Sequence, residues 1–317
     1  MSPVPSVSVV VPTYRRPEQV ERAVRSALAQ TISDLEVVVV VDDCDAATVA
    51  VLEAVGDVRV RVVVPESHLG NAEARNTGIR AATGSWIALL DDDDLWLPAK
   101  LERQLARAAS MPHRYPIVSC GVIARSATRD FFWPRYVPSP GEPLSDYLFC
   151  RRRPITGDGL VQTSTLLTRA ALFAAVPFRS GQRYVDQDWL LRACRVDGAA
   201  VAFAGMPEPL VVWHMEAERE RISNHDDWRF SLDWIRARRD LVTPRAYAAF
   251  LLTLASASGA RQGDRAAFAV LLLEAFRKGK PGLVEILGHV ANFLVPGGFK
   301  QRLAGLAAGL WRQSISN

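Results

Sequence analysis

Between Leu35 and Asp42 the chain runs through five consecutive valines, Val37 to Val41. A β-branched run without polar alternation reads as a strand covered on both faces, the situation of strands in a parallel sheet between two helical layers. A similar run, Val7-Ser8-Val9-Val10-Val11, precedes it and is stopped by Pro12, whose missing N–H cannot continue a central ladder. Between the two runs Pro17 opens a helix in its preferred first turn, and Val20, Ala23, Val24, Ala27 and Leu28 form its apolar stripe. A helix over about Thr48–Val55 and a strand over Val58–Val64 follow. This alternation of strand and helix specifies an α/β fold with an open, mostly parallel sheet.

In such sheets ligands bind beyond the carboxyl ends of the strands. Three features fall there: the Pro12-Thr13-Tyr14 loop, the pair Asp42-Asp43, and Asp91-Asp92-Asp93-Asp94 after the apolar run Trp86–Leu90. Four adjacent carboxylates repel one another and lose hydration where they are partly buried. A hard divalent cation, Mg²⁺ or Mn²⁺, suits such oxygens and bridges them to phosphates. The plainer alternative is a solvated acidic turn with Asp94 capping the next helix.

Further along, Ala72–Ala82 has good helix formers with Gly84 in the place of a C-terminal cap, and puts Arg75 on its first turns. By itself Arg75 reads as a surface residue. Ile117–Ala124 reads as a strand, Phe131–Pro134 and Arg151–Pro154 as loops, Thr163–Leu167 as a short strand and Arg169–Ala175 as a helical turn. Asp186 and Asp188 open a helix with Leu190, Leu191 and Cys194 inward. They serve either as a cap or as a general base. Val211–His214 reads as a strand ending in a histidine. After Asp226 helices over Trp228–Arg239, Pro244–Ser258, Asp264–Arg277 and Pro281–Phe293 suggest an appended helical bundle.

The ordered set Val9-Val10-Val11-Pro12-Thr13-Tyr14, Val41-Asp42-Asp43, Gly70-Asn71 with Ala74-Arg75-Asn76, Gly78, Ala82 and Gly84, and Leu90-Asp91-Asp92-Asp93-Asp94-Leu95-Trp96-Leu97-Pro98 resembles family 2 glycosyltransferases. The likeness is strong over about the first 115 residues and looser to about residue 225. It implies a GT-A fold, a Rossmann-like mostly parallel sheet flanked by helices. It further implies an inverting, metal-dependent transfer of sugar from a nucleotide-sugar, UDP-linked or another, to a hydroxyl in polysaccharide, glycolipid or cell-envelope glycan synthesis. Carried over by position, Pro12, Thr13 and Tyr14 line the nucleotide pocket, Asp42 (with Asp43 the alternative) meets the base, and Arg75 contacts base or ribose. Asp93 binds the metal, and Asp91 or Asp92 approaches the ribose or a metal-bound water. Asp186 is the general base with Asp188 as second candidate, because Val185 stands where the family carries Glu, and His214 contacts diphosphate or metal. Arg15 also departs from the family's usual Asn, and Asp45 from its small residue.

The resemblance divides the chain into a catalytic part, 1–225 (1–115 nucleotide-binding, 116–225 acceptor-binding), and a helical part, 226–317. Bulk composition agrees with a large folded chain: 317 residues, 49% apolar and 23% charged. Cys44, Cys120, Cys150 and Cys194 show no CxxC spacing, which points to a reducing compartment, and no signal peptide or 20-residue apolar run is evident. A cytoplasmic enzyme is expected, with a carbohydrate or lipid-linked acceptor and no nucleic-acid partner. Of the net charge of +4, the stretch from Pro244 contributes nine Lys/Arg against three acids. Its stripes, Leu283, Ile286, Leu287, Val290 and Phe293, then Phe299, Leu303 and Leu306, suit either a peripheral seat on the inner face of a membrane or ordinary helix packing. Two other readings are a sugar-nucleotide pyrophosphorylase, disfavoured by the lack of glycine in Pro12–Arg16, and a non-catalytic nucleotide- or carbohydrate-binding scaffold.

Overall fold

The computed structural model describes residues 6–126, 130–153, 158–181, 183–215 and 227–295, save the Pro207 side chain. It forms two compact units, Met1–Val137 with Gly159–Ser223, and Pro138–Asp158 with Asn224–Asn317.

The first unit is a nine-stranded sheet. Its parallel half is β1 (Val7–Thr13) between β2 (Leu35–Val41) and β4 (Trp86–Leu89), with β3 (Val60–Val63) outside β2. The valines of β1 and β2 are wholly buried, because helices cover both faces. The sheet continues through β8 (Leu167–Arg169), antiparallel to β4, then β6 (Tyr115–Arg125), β9 (Ala199–His214) and β5 (Leu95–Trp96). Four helices follow the early strands: α1 (Pro17–Leu28), α2 (Ala46–Ala54), α3 (Asn71–Ala81) and α4 (Lys100–Ala109). β1, β2 and β4 run parallel, so their carboxyl ends, and the loops after them, lie along one edge.

Two glycines set how closely α3 and its exit approach the sheet. A Cβ on Gly78 would stand 2.4 Å from Val10 Cγ1, so only glycine lets α3 lie on β1 at this depth. Gly84 is not the helix cap the sequence suggested. Ala82 ends α3 in an extended conformation, and a Cβ on Gly84 would come within 2.7 Å of the Ser8 backbone nitrogen.

Other local expectations change for similar tertiary reasons. Phe131–Trp133 belongs to β7 (Asp130–Trp133), paired antiparallel with β6, and is not a loop. Thr163–Thr165 forms a 3₁₀ turn, its start capped by the Gln162 side chain, and only Leu167–Arg169 is strand. Asp94 does not cap α4, which begins at Lys100 behind Ala99, and Asp94 is fully buried.

The second unit is helical: α5 (Leu144–Phe149), α8 (Trp228–Arg236), a run from α9 (Pro244–Phe250) through a π segment, Leu251–Ala255, into α10 (Ser256–Arg261), then α11 (Arg265–Lys278) and α12 (Leu283–Leu294). The first unit adds α6 (Ala170–Ala175) and α7 (Val185–Ala193). Among the described residues no helix is long and apolar enough to cross a membrane. Phe299, Leu303 and Leu306 lie outside the described residues.

One buried cation stands out in the first unit. Lys100 is fully buried, with Nζ 3.7 Å from the Trp96 ring centroid and 2.7 Å from Gln104 Oε1. Burial pushes its ammonium down to about 7. An unfolded lysine holds its proton up to about pH 10.4. Between those values the unfolded chain binds the extra proton, so stability rises with pH; below about 7 both states are charged and the dependence vanishes. Urea unfolding of Lys100→Met should lack this contribution, so the parent should gain stability relative to the variant from neutral pH to about pH 10.

Candidate active site

Along the carboxyl edge of β1, β2 and β4 lies a cleft of about 630 Å³. Pro12, Thr13, Tyr14, Asp42, Arg75, Asp91, Asp92, Asp93 and Asp186 all line it, although they come from five separate stretches of sequence.

Arg75 is its structural centre. Packing of α3 on the sheet carries this side chain inward until only 4% of it is exposed. Nη2 donates to Asp91 Oδ1 at 2.7 Å and to Thr163 Oγ1 at 3.2 Å, Nη1 donates to Asp186 Oδ1 at 3.0 Å, and the guanidinium lies 5.5 Å from the Phe178 ring centroid. The Thr163 hydroxyl in turn donates to Asp186 Oδ2 at 2.5 Å. Asp186 sits in the first turn of α7, which opens at Tyr184 in a left-handed conformation (φ 61°), so the helix amino end also favours its negative charge. Burial and then repulsion from Asp91 raise its carboxyl above the usual range, opposed by Arg75 and Thr163.

The four acids after β4 divide their tasks. Asp91 takes Arg75. Asp92 is buried, accepting from Thr13 Oγ1 at 2.8 Å and Arg16 Nη1 at 3.0 Å; burial and the neighbouring Asp93 push it up to about 6 despite Arg16. Asp93 is a quarter exposed, 3.8 Å from Arg16 Nη1. Asp94 accepts from Gln162 Nε2 and Ser164 Oγ, both at 2.6 Å, and burial holds it well above its ordinary value. The last acid is therefore a buried strut fixing the Gln162–Ser164 turn.

Asp42 is clamped from behind. Its carboxylate accepts backbone N–H bonds from Leu69 at 2.6 Å and Gly70 at 2.8 Å, while the His68 ring approaches its carbonyl at 3.0 Å. His68 also packs at 4.7 Å against Tyr14, which is exposed at the cleft mouth. Asp43 instead pairs with exposed Arg15 and is not in the cleft wall.

Two further residues singled out from sequence lie outside the cleft lining. Asp188 is buried against Arg192 Nε at 2.8 Å, one helical turn on. His214 ends β9 with Nδ1 2.9 Å from the Asp93 carbonyl. A carbonyl only accepts, so Nδ1 carries the proton and a neutral ring keeps its lone pair on Nε2. Arg16, His68, Gln162 and Thr163 are cleft residues that the sequence did not flag. Only Arg16 had a local signal, as part of the Pro12–Arg16 loop.

Among the described residues no three His, Cys, Asp or Glu side chains are grouped to hold a metal ion unaided. The donor chemistry nevertheless fits a hard divalent ion. Asp91, Asp92 and Asp93 all line the cleft, and the repulsion from Asp93 that adds to burial in raising Asp92 is what a cation relieves. Mg²⁺-type ions take one or two protein carboxylates and complete their shell with water and phosphate.

Residues 8–172, slightly over half the chain, match the model of glycosyl transferase family 2, and the chain belongs to that family. The amylovoran biosynthesis glycosyltransferase AmsB of Erwinia amylovora is 29% identical over 258 residues, 76% of this chain and 82% of that one. The succinoglycan biosynthesis protein ExoO of Rhizobium meliloti is 48% identical over 106 residues, 33% of this chain and 30% of that one. The Escherichia coli UDP-Glc:alpha-D-GlcNAc-diphosphoundecaprenol beta-1,3-glucosyltransferase WfgD is 35% identical over 100 residues, 32% of this chain and 40% of that one. The chain thus spans well under half the length of the latter two. In fold it is similar to S. aureus TarS 1-349 in complex with UDP-GlcNAc (TM-score 0.51, 20% identity, 81% of this chain and 71% of that one). It is also similar to the mannosyltransferase PcManGT from Pyrobaculum calidifontis in complex with GDP-Man and Mn²⁺ (TM-score 0.50, 21% identity, 92% and 88%). The fold is GT-A.

The Arg75 fork makes a direct prediction. Arg75→Met leaves Asp91 and Asp186 facing each other without their cation and should cost about 3 kcal/mol or more in urea unfolding at neutral pH. Arg75→Lys should recover little of it, since one ammonium cannot span both carboxylates as Nη1 and Nη2 do.

Proposed function

We propose that this chain transfers a sugar from a uridine diphosphate-type donor to a hydroxyl of an exopolysaccharide or lipid-linked cell-envelope glycan, inverting the anomeric carbon. The observation that carries the reading is the single Arg75 fork, which joins an acid of the β4 loop to an acid of α7 inside one cleft. The likeness to WfgD and to the amylovoran and succinoglycan biosynthesis proteins AmsB and ExoO supports the acceptor class, and WfgD and TarS support the uridine donor.

In this reading Tyr14, beside His68, and Asp42 form the base end of the cleft, where the clamped Asp42 carboxylate offers an acceptor to a ring N–H. Asp186 takes the proton of the acceptor hydroxyl as its oxygen bonds to the anomeric carbon. The bond from that carbon to the diphosphate oxygen breaks on the opposite face, and the electron pair leaves with the nucleotide. Thr163 and Arg75 hold Asp186 ionised and aimed, while its raised proton affinity suits a base. Arg16 meets negative charge at the diphosphate end, beside Asp92 and Asp93. A Mn²⁺ or Mg²⁺ ion held chiefly by Asp93, with Asp91 and His214 as further candidates, would stabilise charge developing on the leaving diphosphate. In this reading the enzyme works in the cytoplasm, where it meets the acceptor, whether or not it also binds the membrane surface.

Asp186→Asn should lower kcat by about 10²–10⁴-fold while nucleotide-sugar still raises the melting temperature. Asp188→Asn should lower stability through Arg192 yet leave turnover per folded molecule nearly intact. Equal losses in both variants would remove Asp186 from its role, and full activity in both would favour a binding scaffold.

Chelation should abolish turnover and Mn²⁺ or Mg²⁺ restore it. In Asp93→Asn, the metal concentration that gives half the UDP-dependent thermal shift should rise roughly tenfold or more. A chelated enzyme that turns over at the full rate would exclude the metal requirement.

A further inference from the structure

Helix α12 is built inside out. Its two ionisable side chains, Glu285 and His289, are completely buried, whereas Leu283, Leu287 and Leu294 are 71%, 53% and 73% exposed. The inner contacts are specific. Glu285 accepts from Arg245 Nη2 at 2.8 Å and from the Arg151 backbone N–H at 2.9 Å. His289 Nε2 donates to the Phe268 carbonyl at 3.0 Å, and Ser256 Oγ lies 2.8 Å from Nδ1 and 3.0 Å from Asn292 Nδ2. These contacts fix the rotation of the helix, so its leucines face outward by construction.

Helix α11, joined to it through Gly279–Gly282, repeats the arrangement. Glu274 is buried, bonded to Arg236, Tyr247 and Lys278, while Val270, Leu273 and Phe276 are exposed. Single exposed apolar residues are ordinary; a run of six on the outer sides of two consecutive helices is not.

The exposed charges that α11, α12 and their connection themselves carry have one sign. Arg265, Arg277, Lys278 and Lys280 are exposed, and the only acids among residues 265–295 are the buried Glu274 and Glu285. No acid occurs in the sequence after Glu285, which adds Lys300, Arg302 and Arg312. A self-complementary dimer through this surface would bring like charges together. An anionic bilayer complements both its charge and its apolar side chains.

We propose that the outer faces of α11 and α12 form a peripheral membrane-docking surface, in which Leu273, Phe276, Leu283 and Leu287 enter the acyl boundary of an anionic leaflet and the flanking Arg and Lys residues contact its headgroups. The inference goes beyond the sugar-transfer reading and does not rest on it.

The 317-residue chain is floated with vesicles of phosphatidylcholine alone or of phosphatidylcholine with phosphatidylglycerol. Binding is expected only to the anionic vesicles and to fall with added salt. The Leu273→Ser/Phe276→Ser/Leu287→Ser variant should bind about tenfold or more weakly with no loss in melting temperature, because those side chains already face water. Arg277→Glu and Lys280→Glu should each cost about fivefold or more. The proposal is overturned if the parent ignores anionic vesicles, or if the triple-serine variant floats as well as the parent. It also falls if the parent forms a dimer that the triple-serine variant dissolves while neither binds vesicles. Since no turnover is measured, any of these results leaves the sugar-transfer reading standing, and loss of that reading leaves this test intact.

Discussion

A buried guanidinium shared between two carboxylates governs the first unit. Asp91 and Asp186 belong to loops from different parts of the chain, and each alone would be a partly desolvated charge repelling the other. Arg75 turns that repulsion into attachment. It does so because Gly78, one turn later on α3, lets the helix settle directly onto β1. The cleft thus depends on a backbone contact as much as on charge: a side chain at position 78 would lift the helix and withdraw the fork. Thr163 completes the arrangement by donating to Asp186 while accepting from Arg75, so the hydroxyl proton has one direction to point.

The parallel half of the sheet was legible because burial on both faces leaves a signature, the valine runs, that no half-exposed strand shows. Acids at the ends of those runs were legible for the same reason, being interruptions in an apolar text. What stayed hidden was whatever depends on contacts distant in sequence. Thr163 lies 88 residues from the arginine it serves, and nothing in Thr163-Ser164-Thr165 distinguishes a positioning turn from a strand. Arg75 looked like a surface residue because helical periodicity gives no sign that the helix is sunk into the sheet.

Asp186 and Asp188 show where a stricter local reading would have gone further. Residues two apart on a helix point to nearly opposite sides, so both could not face one cleft. Arg192, four residues after Asp188, was available as its partner in the sequence itself. The four acids after β4 posed a harder problem. Their identical chemistry conceals four environments, from Asp93 in partial contact with solvent to Asp94 among neutral donors. Their partners tell them apart: Arg75 at Asp91, Thr13 and Arg16 at Asp92, and Gln162 with Ser164 at Asp94.

Both units bury charge, at a considerable desolvation cost, but with different consequences. In the first, Arg75 and Asp92 are sunk beside a cleft, so that low polarity strengthens their interactions and lifts the proton affinity of nearby acids toward the working range of a base. In the second, Glu274, Glu285 and His289 are sunk into the helical packing where their partners saturate them. No acid is then left on the surface of α11 or α12, and the side chains displaced outward are leucine, valine and phenylalanine. An ordinary solvated helix would reverse this distribution at no cost to the backbone. Its persistence in two successive helices is explained when the outer medium is itself apolar below an anionic surface, because the desolvation of Glu285 and His289 is then offset by transfer of the leucines out of water.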